Sequence, residues 1–141
     1  MNAIGELQLV VDQSAIDVNG HVNNVRYIQW MQDAAMAHSA SLGWPYERYV
    51  SIGSTWIIRS HSIEYFHSSY LGDQLVVNTW VEYIKKFRSL RKFKFYRPAD
   101  DTVIARAETL FIFCDIETGK PRSIPPEVQQ AYTPVSPEEA P

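Results

Sequence analysis

Four long runs constrain this chain more than any other feature. Residues 54–67 (STWIIRSHSIEYFH), 74–84 (QLVVNTWVEYI), 89–97 (SLRKFKFYR) and 102–114 (TVIARAETLFIFC) are dense in β-branched and aromatic residues and contain no Gly or Pro. That composition belongs to strands. The spacers Leu71-Gly72-Asp73, Lys85-Lys86-Phe87-Arg88 and Pro98-Ala99-Asp100-Asp101 are of hairpin length, so the runs read as a meander of antiparallel neighbours. A shorter β-like run, ELQLVVDQ, precedes them near the N-terminus.

Only one segment reads as a long helix. From Val25 onward Tyr27, Met31, Ala34, Ala35, His38 and Leu42 recur at spacings of three and four, and Gly43 and Pro45 then stop the pattern. Asn23 or Asn24 is the expected N-cap. A helix of about eighteen residues is roughly 27 Å long and crosses a whole sheet. One or two further helical turns are expected after Pro125-Pro126. Residues 133–141, with three Pro and two Glu, read as a disordered tail. The expectation is an α+β chain with a single domain over residues 1–132.

The sheet has apolar residues on both faces. Simple alternation over 74–84 puts Leu75, Val77, Val81 and Tyr83 on one side and Val76, Trp80 and Ile84 on the other. One helix covers one side, so the expected cover for the second is another copy of the chain, in a dimer or tetramer. The alternative is a twisted sheet that partly covers its own back.

Composition narrows the function classes. The chain has 141 residues, 45% hydrophobic and 21% charged, with net charge −3, enough for one core and a poor match to nucleic acid or anionic membranes. No apolar run approaches the roughly eighteen residues of a membrane span, and MNAIGELQLVVDQ lacks the pattern of a signal peptide, so a cytoplasmic protein is expected. Cys114 is the lone cysteine; no internal disulfide and no metal or cofactor are expected. His61 and His67 share a strand face with Arg59 but lack a third ligand.

Chemistry concentrates before the helix. In Asp17-Val18-Asn19-Gly20-His21-Val22-Asn23-Asn24, followed by Tyr27 and Trp30, a carboxylate, amides and an imidazole precede a helix N-terminus, whose free N–H groups favour negative charge. Such a carboxylate is able to attack an acyl carbonyl or activate water, and Asn or His to hold water or substrate. The plainer alternative is that these residues only shape a turn and cap the helix.

The segment 17–30, Asp-Val-Asn-Gly-His-Val-Asn-Asn-Val-Arg-Tyr-Ile-Gln-Trp, resembles the signature of hot-dog-fold thioesterases of the 4-hydroxybenzoyl-CoA and acyl-ACP thioesterase group. The resemblance extends to the order of elements and to Gly119-Lys120-Pro121-Arg122-Ser123-Ile124-Pro125. It implies a sheet wrapped around the long helix, sites at dimer interfaces and metal-free hydrolysis of an acyl-CoA or acyl carrier protein thioester. Asp17 matches the family's nucleophile or general base, and Asn19 and His21 match the residues that accompany it in the acyl-ACP branch. Asn23, Asn24 and Tyr27 are candidate substrate contacts. The second carboxylate of that branch falls near Ser68, and Asp33, the one acid on the helix, lies away from the apolar stripe. A hydratase motif resembling Asp-x-Asn-Pro-x-His is matched less well, because Gly20 replaces Pro and His21 comes one residue early. A binding module without turnover is the non-enzymatic alternative.

Seven of the thirteen Lys and Arg, namely Lys85, Lys86, Arg88, Arg91, Lys92, Lys94 and Arg97, fall within thirteen residues. They read either as protection of an edge strand or as a landing site, with Arg88, Arg91 and Lys92 as its candidates, for coenzyme A phosphates or an acidic carrier. Alternation places Arg91 and Arg97 with Phe93 and Phe95, and Lys92 and Lys94 with Leu90 and Tyr96.

Overall fold

The computed structural model describes residues 3–141; the first two residues of the expected domain lie outside the described residues. Five strands, β1 (Ile4–Val10), β2 (Ser54–Tyr65), β3 (Gln74–Lys85), β4 (Arg88–Arg97) and β5 (Thr102–Asp115), form one antiparallel sheet in the order β1-β3-β4-β5-β2. The helix α1 (Asn24–Ser41) packs on one face. Two six-residue helices follow, α2 (Tyr46–Ser51) and α3 (Pro126–Ala131).

The helix begins where expected. Asn23 is the N-cap, its side-chain oxygen accepting the Val25 N–H at 2.9 Å, which satisfies one of the orphan donors of the first turn. Tyr27, Trp30, Met31, Ala34, Ala35 and His38 form the buried face. Against them pack Leu75 and Val77 of β3, Phe93 and Phe95 of β4, and Ile104, Ala105 and Ala107 of β5. Tyr27 meets Trp30 and Phe95 edge to face, with centroids 5.5 and 5.2 Å apart, a favoured aromatic geometry. Gly5 lets α1 approach β1, since a Cβ there would stand 2.7 Å from Cγ of His38.

The simple meander is not what forms. β3, β4 and β5 are sequential neighbours, but β2 pairs with β5 at one edge and β1 takes the place beside β3. Local spacing reported that strands were present, whereas their order depends on long-range pairing. The β2–β3 connection therefore crosses the end of the sheet. It is stapled there by Phe66 N–H to Ile104 O at 2.8 Å, Val22 N–H to Ser69 O at 2.8 Å and Val11 N–H to Asp73 O at 2.9 Å. The basic strand β4 consequently lies between β3 and β5, which removes the edge-protection reading.

Three register shifts reset the alternation: between Ile58 and Ser60, between Val81 and Tyr83, and between Phe95 and Tyr96. A bulge adds one unpaired residue and turns the following side chains over. Ile84, expected beside Val76 and Trp80, instead joins Val81 in a second cluster with Leu42, Trp44, Tyr49, Phe113, Ile124, Val128 and Tyr132.

The back of the sheet is covered in part by the chain itself. Trp80 is only 3% exposed. In the segment expected to be disordered, Val135 is 6% exposed and donates its N–H to Val81 O at 2.8 Å, and Arg106 Nη1 donates to Pro141 O at 3.2 Å. Among the described residues no helix is long and apolar enough to cross a membrane.

Candidate active site

The segment before α1 folds as a closed loop. An isolated bridge joins Ile16 to Val22, Asp17 N–H donates to His21 O at 3.0 Å, and Gly20 N–H donates to Asp17 O at 3.1 Å. Gly20 has φ +81°, a region that only Gly adopts without strain. Asp17 Oδ1 accepts the Asn19 N–H at 2.8 Å, an Asx turn that fixes the carboxylate. Among the described residues its other oxygen has no hydrogen-bond donor. Asp17 and His21 are half-buried and Asn19 is exposed.

His21 Nδ1 lies 3.3 Å from Val22 O. A carbonyl only accepts, so Nδ1 is the donor in this contact. The loop is bound to the crossover through Val22 and Ser69, and this connection creates a 350 Å³ depression. His21, Asn24 and Tyr27 line it together with Tyr65, His67 and Ser68. Position 68, where the resemblance puts a second carboxylate, thus stands beside His21 but carries a hydroxyl. Asp17 and Asn19 are not part of this lining.

Tyr27 contributes from the core. It is 2% exposed, and its hydroxyl donates to Ser69 Oγ at 3.0 Å; burial raises the phenol above its ordinary pKa. Tyr65 donates from its hydroxyl to Asn24 O at 3.2 Å, tying β2 to the helix start. Asn23 is engaged as the cap. Asp33 is exposed, as expected.

The basic residues do not form one surface. Arg88 is exposed, with its guanidinium 6.0 Å from the centroid of the Phe87 ring. Lys92 is on the back of the sheet, 2.7 Å from Glu108 and 3.9 Å from Glu82. Arg97 pairs with Asp73 at 3.0 Å and Asp100 at 2.9 Å. Arg91 is buried beneath the helix, where its Nη1 donates to His38 Nδ1 at 2.9 Å. Of the three candidates for a phosphate-landing site, Arg88 is exposed, Lys92 is engaged by two carboxylates on the back of the sheet and Arg91 is buried, so they do not share one surface.

A second space opens farther along α1. A cavity of 420 Å³ lies between the helix, α2 and the sheet, walled chiefly by Met36, Trp44, Trp56, Ile58, Ile84 and Phe111. Its first helical residue, Gln32, is eight positions past Asn24, or about 12 Å along the helix. The size and apolar walls suit a small organic group. Tyr49 and Tyr132 also face it, with hydroxyls 2.7 Å apart. No local signal marked these two residues, because they lie 83 positions apart and meet only through the packing of α2 and α3.

Residues 11–132 match the family model of the thioesterase-like superfamily. The chain is 26% identical over 132 residues to a Bacillus subtilis protein named "Putative acyl-CoA thioesterase YneP", covering 92% of this chain and 95% of that one. It is 27% identical over 139 residues to the L-carnitine dehydrogenase/betainyl-CoA thioesterase of Rhizobium meliloti, a match that spans 96% of this chain and 28% of that longer protein. Among solved structures, Slr0204 of Synechocystis, a 1,4-dihydroxy-2-naphthoyl-CoA thioesterase, superposes with a TM-score of 0.84 at 20% identity over 91% of this chain and 94% of that chain. The one long helix against a five-stranded antiparallel sheet is the same architecture. The chain therefore belongs to the thioesterase-like superfamily and is a thioester hydrolase with the hot-dog fold.

Proposed function

We propose that this thioesterase hydrolyses acyl-CoA, with Asp17 as general base or nucleophile and with Asn19 and His21 positioning water and substrate. The observation that carries the reading is the state of the Asp17 carboxylate. One oxygen is anchored by the Asn19 N–H at 2.8 Å on a loop closed by backbone bonds, and the other has no donor among the described residues. A fixed, half-buried carboxylate with one oxygen available suits proton abstraction or attack at a carbonyl. In the general-base form, Asp17 takes a proton from water as its oxygen bonds to the thioester carbon. The C–S bond then breaks, and the departing thiolate takes up that proton. The names of the Bacillus and Rhizobium relatives support coenzyme A as the thiol.

The working unit under this reading is a homo-oligomer, a dimer or tetramer. Its support is the edge strand β2, twelve residues long with Ile57 44% exposed, since a long open edge is a pairing surface. Light scattering at micromolar concentration is expected to give a multiple of the chain mass, and a single-chain mass would refute assembly. For the chemistry, Asp17→Asn is expected to cut release of free thiol from acyl-CoA by about 10²–10⁴ while the far-ultraviolet spectrum is retained. Unchanged turnover would refute the assignment of Asp17.

A further inference from the structure

Arg91 poses a charge problem that the hydrolytic reading leaves open. It is 4% exposed, and among the described residues no carboxylate lies within 4.0 Å of it: every ion pair found involves Lys92 or Arg97 instead. Its partners are neutral acceptors. Nη1 donates to His38 Nδ1 at 2.9 Å and to Thr79 Oγ1 at 3.1 Å, and Nη2 makes a long 3.5 Å contact with Ser39 Oγ. These acceptors are themselves held in place, since Thr79 donates to Lys92 O at 3.0 Å and Tyr132 donates to Ser39 Oγ at 2.8 Å. An arginine keeps its proton even when buried. The Tyr132 ring, with its centroid 6.0 Å from the guanidinium, adds a weak cation–π contact. A buried cation held only by dipoles and a ring face still retains a net charge that a counter-ion would stabilise strongly.

That charge borders the 420 Å³ cavity. Arg91, Ser39, Tyr49 and Tyr132 are joined through hydrogen bonds and all four line it, forming a polar cluster in a wall otherwise dominated by Trp44, Trp56, Ile58 and Phe111. Glu47, the one carboxylate in the lining, is exposed and is not a partner of Arg91. An aliphatic tail needs no cation in its pocket, and burying one there carries a cost unless the ligand brings the opposite charge.

We propose that the cavity binds the acyl group of a thioester whose far end carries a carboxylate, and that Arg91 determines this specificity. The inference rests on the thioesterase reading and deepens it, naming the half-thioester of a dicarboxylic acid as substrate class. Nη2 has a second hydrogen and Nε has its own, the two donors that a carboxylate takes side by side. The apolar walls hold the intervening carbons, and the products of hydrolysis are a dicarboxylate and the free thiol.

The test uses two hydrolysis-resistant thioether analogues of acyl-CoA with equal chain length, one ending in a methyl group and one in a carboxylate, titrated calorimetrically into the full chain. The carboxylate analogue is expected to bind about tenfold tighter or more. Arg91→Met should erase the difference and Arg91→Lys should keep part of it. Equal affinity, a preference for the methyl analogue, or no binding of either by the unaltered protein overturns the proposal without reliance on any variant. Thiol release from the corresponding thioesters, run alongside, separates the two readings. Carboxylate-selective binding with no thiol released would sink hydrolysis at Asp17 and keep the cavity assignment. Hydrolysis of both thioesters without selectivity would do the reverse.

Discussion

The two ends of α1 solve different problems. At its N-terminus, eight consecutive residues, Asp17 to Asn24, build a polar loop from backbone bonds between near neighbours, with Gly20 supplying the one unusual dihedral angle. Farther along the helix, the cavity is assembled from β2, β3, β4, β5, α2 and Tyr132, segments that meet only when the chain is folded. Chemistry that needs a fixed carboxylate can be written into a short contiguous segment. Recognition of an acyl group needs a shaped volume, and volume comes from tertiary packing. If the proposed roles hold, the contrast teaches that a hydrolase of this kind can keep its reaction in one place and vary its substrate in another.

Substitutions can break that division or sharpen it. The largest effect is expected from Asp17→Asn, which should cost about 10²–10⁴ in the rate of thiol release while leaving affinity for a bound acyl analogue within a small factor. If both fall together, the loop and the cavity are not separable. Gly5→Ala attacks the other end. The new Cβ would stand 2.7 Å from Cγ of His38, forcing the partner of Arg91 to move, at a cost of about 1–3 kcal/mol in denaturant unfolding. It should weaken cavity binding more than it slows the chemical step.

A smaller loss, about 1 kcal/mol of stability, is expected for Asn23→Ala, because the Val25 N–H loses its cap. Thermal unfolding measures it, and an unchanged midpoint would mean that water replaces the cap without loss. The mildest effect lies away from both regions. The Arg97 side chain, through its hydrogen bonds, holds the Asp100 carboxyl down at about 2. Because the folded value is below the ordinary 3.8, the contribution to stability is complete above the unfolded pKa and fades as the pH drops toward 2. In Arg97→Met an NMR titration should find Asp100 moved up toward its ordinary value. A titration unchanged from the parent protein would show that Arg97 is not the cause.

Much of this molecule was legible before it was folded. The strand composition of residues 54–114, the spacing from Tyr27 to Leu42 and the Asn23 cap are local signals, and local signals survive into the structure. The loop at Asp17 was legible as a motif for the same reason, since its bonds join residues a few positions apart. What escaped was set by long-range contacts. Nothing in Leu71-Gly72-Asp73 says that the chain is completing a crossing of the sheet rather than turning a hairpin. Six residues of α2 are too few to display a period. Arg91 shows how a signal can be present yet weighed incorrectly: alternation already put it beside Phe93 and Phe95, but its basic neighbours suggested an exposed patch. Within such a cluster, the side chain that shares its face with buried aromatics is the one to treat differently.

The bulge between Val81 and Tyr83 carries a consequence for how such a protein diversifies. Strand β3 has one phase of inward and outward positions up to Val81 and another from Tyr83 onward, so a mutation near Leu75 and one near Ile84 obey different rules. The half under the helix stays committed to stability, and the half along the cavity is released from that register. A lineage is thus able to remodel the cavity, residue by residue, while the rest of the same strand goes on specifying an unaltered scaffold.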